Sequence, residues 1–597
     1  MKDFFKMFFA SVLGVVTAGI ILACISLFIM VGWITSVASS FSKTESVSIL
    51  DNSILVINFS ELPETENDDP FTSFTKQEKT ITLNNAIKAI KIAKNNPSIK
   101  GIYLNTEMPT AGMASLDEVR RALQDFKKSG KFIIAYGDNY TQKGYYLSSI
   151  ADKVFLNPLG KVNIIGIASS TIFYKKALDK LGVEMLTFKV GTYKGAVEPY
   201  ILDHLSDANK EQIKTYINGL WDNIVEDIAK ARNITPESIR EFADQGHALE
   251  EGEMFLKTGL IDSLVYREDL YGYFKNKLDI EKSKKLNLVS LNDVLEGGNI
   301  KVSKGEKIAV VFAEGVIMPE QADIYDMSSG ITEKLTKQLK QLAEDDNIKA
   351  VVMRVNSPGG SAFLSEQIWY QVANIKKAKP IVVSMGDYAA SGGYYISSAA
   401  NKIFAEPNTL TGSIGIFGQV PNASKFVEKI GLNVDVVKTS KFSDMILSGN
   451  IAGIMKPMSE DEKALIQKEV ERGYDIFISR VAEGRNMTKE KVDSIGQGRV
   501  WLGEKALELG LVDHLGGLDD AIAAAAKLAN LSDYRLVYDA SQSSNIFELF
   551  FKTGRRELEL RLMGKALSRE ELFLLREYRN IMQPGIMTRL PYGFNAY

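Results

Sequence analysis

One cysteine, Cys24, in a chain of 597 residues leaves no intramolecular disulfide to staple the fold. Histidine is almost as scarce. His204, His247 and His514 are the three present, and none stands in a metal-ligand spacing. No metal and no cofactor is therefore expected, and a Ser-His-Asp triad has little to draw on. An excess of one charge is missing too: 71 Lys and Arg face 74 Asp and Glu, a net charge of −3, so nothing points to nucleic acid as a partner. Apolar residues make up 45% and charged residues 24%, the balance of a globular protein, and the length allows two or more domains.

Charge is absent altogether between Lys6 and Lys43, and Met7 to Ala38 is almost wholly apolar. About 20 apolar residues span a bilayer. The run exceeds a signal-peptide core and no convincing cleavage site comes after it, so residues 1–43 are expected to form an uncleaved transmembrane anchor in contact with membrane lipid. Lys2 and Lys6 precede the span, which keeps the N-terminus cytoplasmic and sends the rest across. Leu22-Ala23-Cys24 has the look of a lipoprotein box, but apolar sequence continues well past it, and Cys24 is read as an ordinary membrane-facing residue.

Beyond the anchor the chain repeats itself. Ile99 matches Ile348, Tyr145-Tyr146 matches Tyr394-Tyr395, and the segment from Ala151 to Pro158 matches that from Ala400 to Pro407, all at an offset of 249 residues. Arg232-Asn-Ile-Thr reappears as Arg485-Asn-Met-Thr, and Thr258-Gly-Leu-Ile-Asp as Leu509-Gly-Leu-Val-Asp. A period this long means duplicated domains, not a solenoid. Each copy alternates β-branched runs, such as Ile308 to Phe312 and Ala350 to Val355, with helical patterns, the signature of an α/β fold around a largely parallel buried sheet. The expected domains are residues 44–290 and 291–540, joined by a polar, Gly-containing linker over Asn292–Lys307. A tail extends over 541–597, with a charged amphipathic helix from Phe547 to Leu567 and no assigned chemistry.

The copies differ where chemistry would be. In the second, the strand pattern Pro380-Ile-Val-Val-Ser runs through Ala389-Ala390-Ser391-Gly392-Gly393 into a helical pattern, a turn that can expose a hydroxyl beside the first N–H groups of a helix. Equally, Ser391 could simply cap that helix. The first copy has Gln142 at this position. The second copy also carries Asn356-Ser-Pro-Gly-Gly360-Ser361 after a strand, a turn that can present the Gly360 N–H, where the first has Asn105-Thr-Glu-Met-Pro-Thr. A serine nucleophile without histidine needs a neutral lysine, whose pKa must fall by ~3 units through burial or crowding. Two lysines compete: Lys194, in Gly191-Thr-Tyr-Lys-Gly-Ala-Val-Glu-Pro-Tyr200, and Lys441, in Val436-Val-Lys-Thr-Ser-Lys-Phe-Ser. Spacing does not separate them, and an ordinary lysine is a solvated surface charge.

Taken together, Val355-Asn-Ser-Pro-Gly-Gly-Ser361, Met385-Gly-Asp-Tyr-Ala-Ala-Ser-Gly-Gly-Tyr-Tyr395, Thr409-Leu-Thr-Gly-Ser-Ile-Gly-Ile-Phe-Gly418 and the Lys194 run resemble the signal peptide peptidase A (protease IV) family in its long, duplicated, membrane-anchored bacterial form. The resemblance covers nearly the whole chain before Ser541. It implies a Clp protease/crotonase-like fold and a Ser–Lys dyad, with Ser391 as nucleophile and Lys194, in preference to Lys441, as general base. N–H groups of Gly360 and Gly392 would hold the oxyanion. It also implies a bowl-shaped homotetramer in the bacterial inner membrane, with its catalytic domains on the periplasmic side, that degrades cleaved signal peptides and other apolar unfolded peptides. The segment from Leu410 to Ile416 is expected to form an edge strand lining the cleft, to which such peptides add by backbone pairing, and Ser413 is a substrate-side or structural candidate. Two rivals remain at this point: an acyl-CoA enzyme of the crotonase kind, and a non-catalytic membrane scaffold.

Overall fold

The computed structural model of the chain describes residues 48–66, 80–298, 303–319, 330–446, 452–538 and 585–589, with scattered positions between 6 and 25. Apart from those scattered positions, the expected anchor over 1–43 lies outside the described residues, as does the tail helix over Phe547–Leu567, and among the described residues no helix is long and apolar enough to cross a membrane.

Two sheets repeat one plan, parallel throughout except for an antiparallel edge strand, Val500–Leu502, in the second. In the first copy β1 (Ser53–Ile57), β2 (Ile99–Leu104), β3 (Phe132–Thr141), β4 (Lys153–Asn163), β6 (Ser263–Leu264) and β7 (Asn287–Val289) lie in the order β6-β4-β3-β2-β1-β7, all parallel. In the second, β8 (Glu306–Glu314), β9 (Ile348–Ser357), β11 (Ile381–Ala390), β13 (Leu410–Gly412), β15 (Val500–Leu502) and β17 (Tyr534–Tyr538) lie in the order β15-β13-β11-β9-β8-β17. There β12 (Lys402–Ala405) pairs with both β11 and β16 (His514–Leu515). The 249-residue offset thus maps β2 onto β9, whose first residues are Ile99 and Ile348. Side-chain contacts repeat as well. Tyr145 donates to the Leu260 carbonyl as Tyr394 does to that of Leu511, and Arg232 grips the Gly259 carbonyl and Asp262 as Arg485 grips that of Gly510 and Asp513.

Strands buried on both faces must be apolar on both, which is why they appear as unbroken runs. Ile308, Val310, Ala350 and Val352 face Leu518, Ile522 and Ala525 of the helix Leu518–Leu528. Their neighbours Ala309, Val311, Val351 and Met353 face the opposite core, with Ile368 and Val372 of the helix Ala362–Ala378. Two sequence expectations change. The stretch read as a linker opens as the helix Leu291–Gly297, closed at its start by a capping box between Ser290 and Asp293. The segment from Leu410 is not an edge: β13 lies between β11 and β15, and only from Ile416 does the chain form β14 (Ile416–Asn422) in a separate sheet.

That third sheet joins the copies. β5 (Glu184–Val190) of the first copy pairs antiparallel with β14 of the second along seven residues, from Val190 opposite Ile416 to Glu184 opposite Asn422. The copies also interlock through the helix Met113–Lys127. Its Glu118, together with Glu64, pairs with Arg354 of β9, all three fully buried, at 2.6 and 2.8 Å. Arg354 further donates to Ser384 Oγ and the Met385 carbonyl. Burial raises the Glu64 carboxyl to about 7, the nearby Arg354 charge pulling it back and Glu118 adding to the rise.

Candidate active site

Ser391 directly follows β11 and precedes the short helix Gly392–Ser397. Its backbone sits at φ 57°, ψ −113°, a conformation that L-residues rarely adopt and that strand-to-helix turns with an exposed hydroxyl use. The turn is fixed from both sides: the Ser391 N–H donates to the Gly412 carbonyl and its own carbonyl accepts from Tyr395 N–H. Its side chain makes no capping bond. The first copy shows the alternative. There Thr141, at φ −68°, caps its helix by accepting from Gly144 N–H, and Gln142 accepts from the N–H groups of Ile165 and Gly166. One duplicated turn is a helix cap in one copy and a strained elbow in the other.

Two glycines bring the Pro-Gly-Gly turn beside this elbow. A Cβ on Gly393 would come within 2.6 Å of the Ser357 carbonyl oxygen, so a bare backbone is what lets the helix start rest on the end of β9. Gly360 lies in β10 (Gly359–Ser361) at φ 156°, where a Cβ would collide with the Ile317 carbonyl. Gly392 opens the helix, and its N–H is one of the four donors that no helix can satisfy within itself.

Lys194 arrives from the other copy. After β5 crosses onto β14, the chain turns at Gly191, which is at φ 109° and abuts the Gln497 carbonyl, and delivers Lys194 into the second copy. The loop 497–499 clasps the turn: Tyr193 N–H donates to the Gln497 carbonyl, and the Arg499 guanidinium lies over the Tyr193 ring. Lys194 Nζ stands 2.7 Å from Ser391 Oγ, 3.0 Å from Ser413 Oγ and 3.2 Å from the Ser413 carbonyl oxygen, all buried and all within one chain. Lys194 is 1% exposed and no carboxylate pairs with it among the described residues, so burial alone lowers its pKa from 10.5 to about 7. Lys441 is elsewhere, 63% exposed and ion-paired with Asp461.

Three residues besides the expected four shape this site. Ser413, at φ 49°, turns both its oxygens to the lysine. Gly498, at φ 78°, lies where a Cβ would be 2.8 Å from the Lys194 backbone nitrogen, and one on Gly415 would be 3.2 Å from Lys194 Cδ. The two glycines form a slot for the lysine stem. Their signal in the sequence is the pair of glycine clusters, Gly412-Ser-Ile-Gly415 and Gly496-Gln-Gly498, of which the helix end at Gly496 explains only one residue. Within the lysine run, Glu198 is structural: it accepts from Ser206 and Asn209 and holds the start of the helix Asp207–Arg232.

A model of peptidase family S49 matches residues 125–281 and 373–532, and a Clp protease model matches residues 311–411. Protease 4 of Haemophilus influenzae is 36% identical over 478 residues, 78% of this chain and 75% of that protein. Protease 4 of Salmonella typhi is 38% identical over 468 residues, covering 76% and 74% respectively. Among solved structures, a mutant of the 1510-N membrane-bound stomatin-specific protease in complex with a substrate peptide matches 42% of this chain and 99% of its own at 15% identity and a TM-score of 0.26.

Proposed function

Since the chain belongs to peptidase family S49 and is a serine protease with a duplicated Clp protease-like fold, we propose that it cuts peptides with Ser391 as nucleophile and Lys194 as general base. The observation that carries this reading is the 2.7 Å contact of a buried lysine, free of any carboxylate among the described residues, with a serine in a strained elbow. A neutral amine has two N–H bonds and one lone pair. The Ser413 carbonyl can only accept, so it takes one N–H; Ser413 Oγ takes the other, and the lone pair is left facing the Ser391 hydroxyl. Ser391 O–H then donates to Nζ, and its oxygen attacks the peptide carbonyl. The N–H groups of Gly360 and Gly392 receive the oxyanion, each such donor being worth ~2.7–4 kcal/mol. The ammonium of Lys194 returns its proton to the leaving amine, and water releases the acyl group from Ser391.

The substrates in this reading are cleaved signal peptides and other apolar, unfolded peptides. Residues 1–43 hold the enzyme in a bacterial inner membrane, residues 44–290 supply the base and residues 291–540 the nucleophile on the periplasmic side, and the assembly is a homotetramer. The apolar run without charge from Met7 to Ala38 supports the anchor.

The test is labelling of the full chain with a fluorophosphonate. Ser391 should carry the label and Ser391→Ala should lose both label and peptide turnover. Labelling of another serine, or turnover retained in Ser391→Ala, would sink the assignment. Gly498→Ala probes the lysine slot. Its methyl must push on the Lys194 backbone, and a displacement of about 1 Å at a catalytic group costs roughly 10²-fold. Turnover should fall by about that factor with KM little changed, as read from steady-state kinetics on an apolar fluorogenic peptide.

A further inference from the structure

The first copy keeps a cavity where the second has its elbow. It measures about 510 Å³ and is lined by residues of both copies. On the 249-residue offset, its Met108, Pro109 and Thr110 stand for Ser357, Pro358 and Gly359 of the second copy, and its Gln142 and Lys143 stand for Ser391 and Gly392. Met113, Leu220 and Leu410, all buried, give it an apolar wall. Where the elbow offers a hydroxyl, this turn offers an amide and an amine, both of them hydrogen-bond donors.

Most polar side chains of the wall are already engaged. Thr110 donates to the Ser60 carbonyl and Thr141 to that of Glu107, while Asn408 donates to Asp117 and accepts from Asn223. The Asp387 carboxylate accepts from Ser115 N–H and Oγ, so from the second copy it caps the helix Met113–Lys127, whose own N-cap residue, Gly112, has no side chain to offer. Its charge is thereby held at a helix start. Two groups are not engaged. Gln142 Oε1 accepts from the Ile165 and Gly166 N–H groups at 3.2 and 3.0 Å, which fixes the amide, and its Nε2 has no acceptor among the described residues. Lys143 is half-buried, and no carboxylate among the described residues forms an ion pair with it. Burial pulls its ammonium below the usual lysine range, and the Asp387 charge offsets this only in part.

An unpaired cation beside a fixed amide donor, in an apolar cavity, matches a carboxylate on an apolar chain. We propose that this cavity is a second peptide site, in which Lys143 Nζ and Gln142 Nε2 hold the free C-terminal carboxylate of an apolar peptide. The choice of a peptide rests on the substrate reading above, while the carboxylate clamp rests on the cavity alone. A signal peptide released by an earlier cleavage ends in a carboxylate, whereas one still joined to its protein has an uncharged amide at that point. The site therefore favours the cleaved peptide over the uncleaved one, a distinction that Ser391, which meets an internal amide bond in both, does not make. Asp387 and Tyr388 of the wall lie on β11, the strand that leads to Ser391, so the peptide end is held against the same element as the nucleophile.

The experiment uses the full chain in detergent with Ser391→Ala, which keeps the probe intact. Fluorescence anisotropy is read for a leucine-rich peptide, labelled at its N-terminus, with a free C-terminal carboxylate and for the same peptide as its C-terminal amide. The acid should bind about ten-fold more tightly, the gain from one charge-assisted hydrogen bond. With Lys143→Met added, acid and amide should bind alike; with Lys143→Arg the preference for the acid should remain. Equal binding of acid and amide while Lys143 is in place overturns the proposal, and so does a preference that survives Lys143→Met. Dodecanoate, a carboxylate on an apolar chain that is not a peptide, is the competing occupant: binding that depends on Lys143 for dodecanoate but not for the peptide acid also overturns it. Loss of Ser391 labelling in the otherwise native chain sinks the dyad instead and leaves the comparison of acid with amide standing.

Discussion

Replacing Lys194 by methionine should abolish peptide turnover, by about 10⁴-fold or more, while making the protein more stable at neutral pH. The first effect follows from the proposed role of Lys194 in taking the Ser391 proton; a nucleophile and its base act as a unit, so losing one forfeits most of the rate. The second comes from the site's own electrostatics. Burial holds the Lys194 ammonium at a pKa of about 7, whereas in the unfolded chain it titrates near 10.5. Between these values the unfolded state binds a proton that the folded state does not. Native stability is therefore complete above about pH 10.5, is lost progressively as pH falls, and carries the full deficit below about 7. A drop of this size corresponds to roughly 4–5 kcal/mol. Methionine fills the same slot without a charge, so the variant's advantage in urea unfolding should be largest at pH 6 and vanish toward pH 10.5. Wild-type kcat/KM should rise with pH through about 7, as neutral lysine accumulates. A methionine variant that is inactive and also less stable at pH 6 would mean that Lys194 is folded in as a charged structural partner and not as a buried neutral base.

The duplicated α/β plan, the Ser391 elbow and the two glycine turns are all legible in the sequence because each is local. A repeat at fixed offset, a strand pattern ending in Ser-Gly-Gly, and a Pro-Gly-Gly turn need no knowledge of what lies across the molecule. The choice between Lys194 and Lys441 is not local. It is made by β5 pairing with β14, a contact between copies more than two hundred residues apart, and by the clasp of Gly191 and Tyr193 against Gln497. Spacing within either copy carries no trace of that register. The cleft strand is hard to place from sequence for a related reason. Leu410 to Ile416 reads as one continuous strand, but the positive φ at Gly412 and Ser413 breaks it, so its first part joins the main sheet and the residues from Ile416 onward join the third sheet. Arg354 does leave a visible mark, a charge inside the run Ala350-Val-Val-Met-Arg-Val of a strand buried on both faces. Such a charge requires partners from elsewhere, and here they come from the other copy.

Arg354→Met should destabilise the protein by about 3–5 kcal/mol, the usual result of removing one member of a buried ionic group. Its guanidinium reaches Glu64 and Glu118 of the first copy as well as Ser384 and Met385 of its own, so its loss leaves Glu64 without its arginine partner and Glu118 with Arg121 as its nearby cation. The pH dependence has a fixed sign. Glu64 is already raised to about 7 by burial, with Arg354 as the principal opposing influence; without that arginine its carboxyl rises further. A carboxyl raised above its unfolded value contributes stability that is present below about 4.5 and lost as pH climbs through the folded value. The deficit of the variant should therefore be small near pH 5 and largest above pH 7, and Glu64→Gln in the same chain should recover part of it at pH 8. Activity should fall along with stability, because Arg354 lies three residues before Ser357, on the strand whose end carries the Pro-Gly-Gly turn. With the copies no longer held together at β9, the Lys194 of one and the Ser391 of the other lose their common frame, and fluorophosphonate labelling of Ser391 should slow at pH 8 and recover toward pH 6 when compared with wild type at each pH. A deficit in unfolding free energy that is the same at pH 5 and pH 8 would show that the cluster contributes through packing alone.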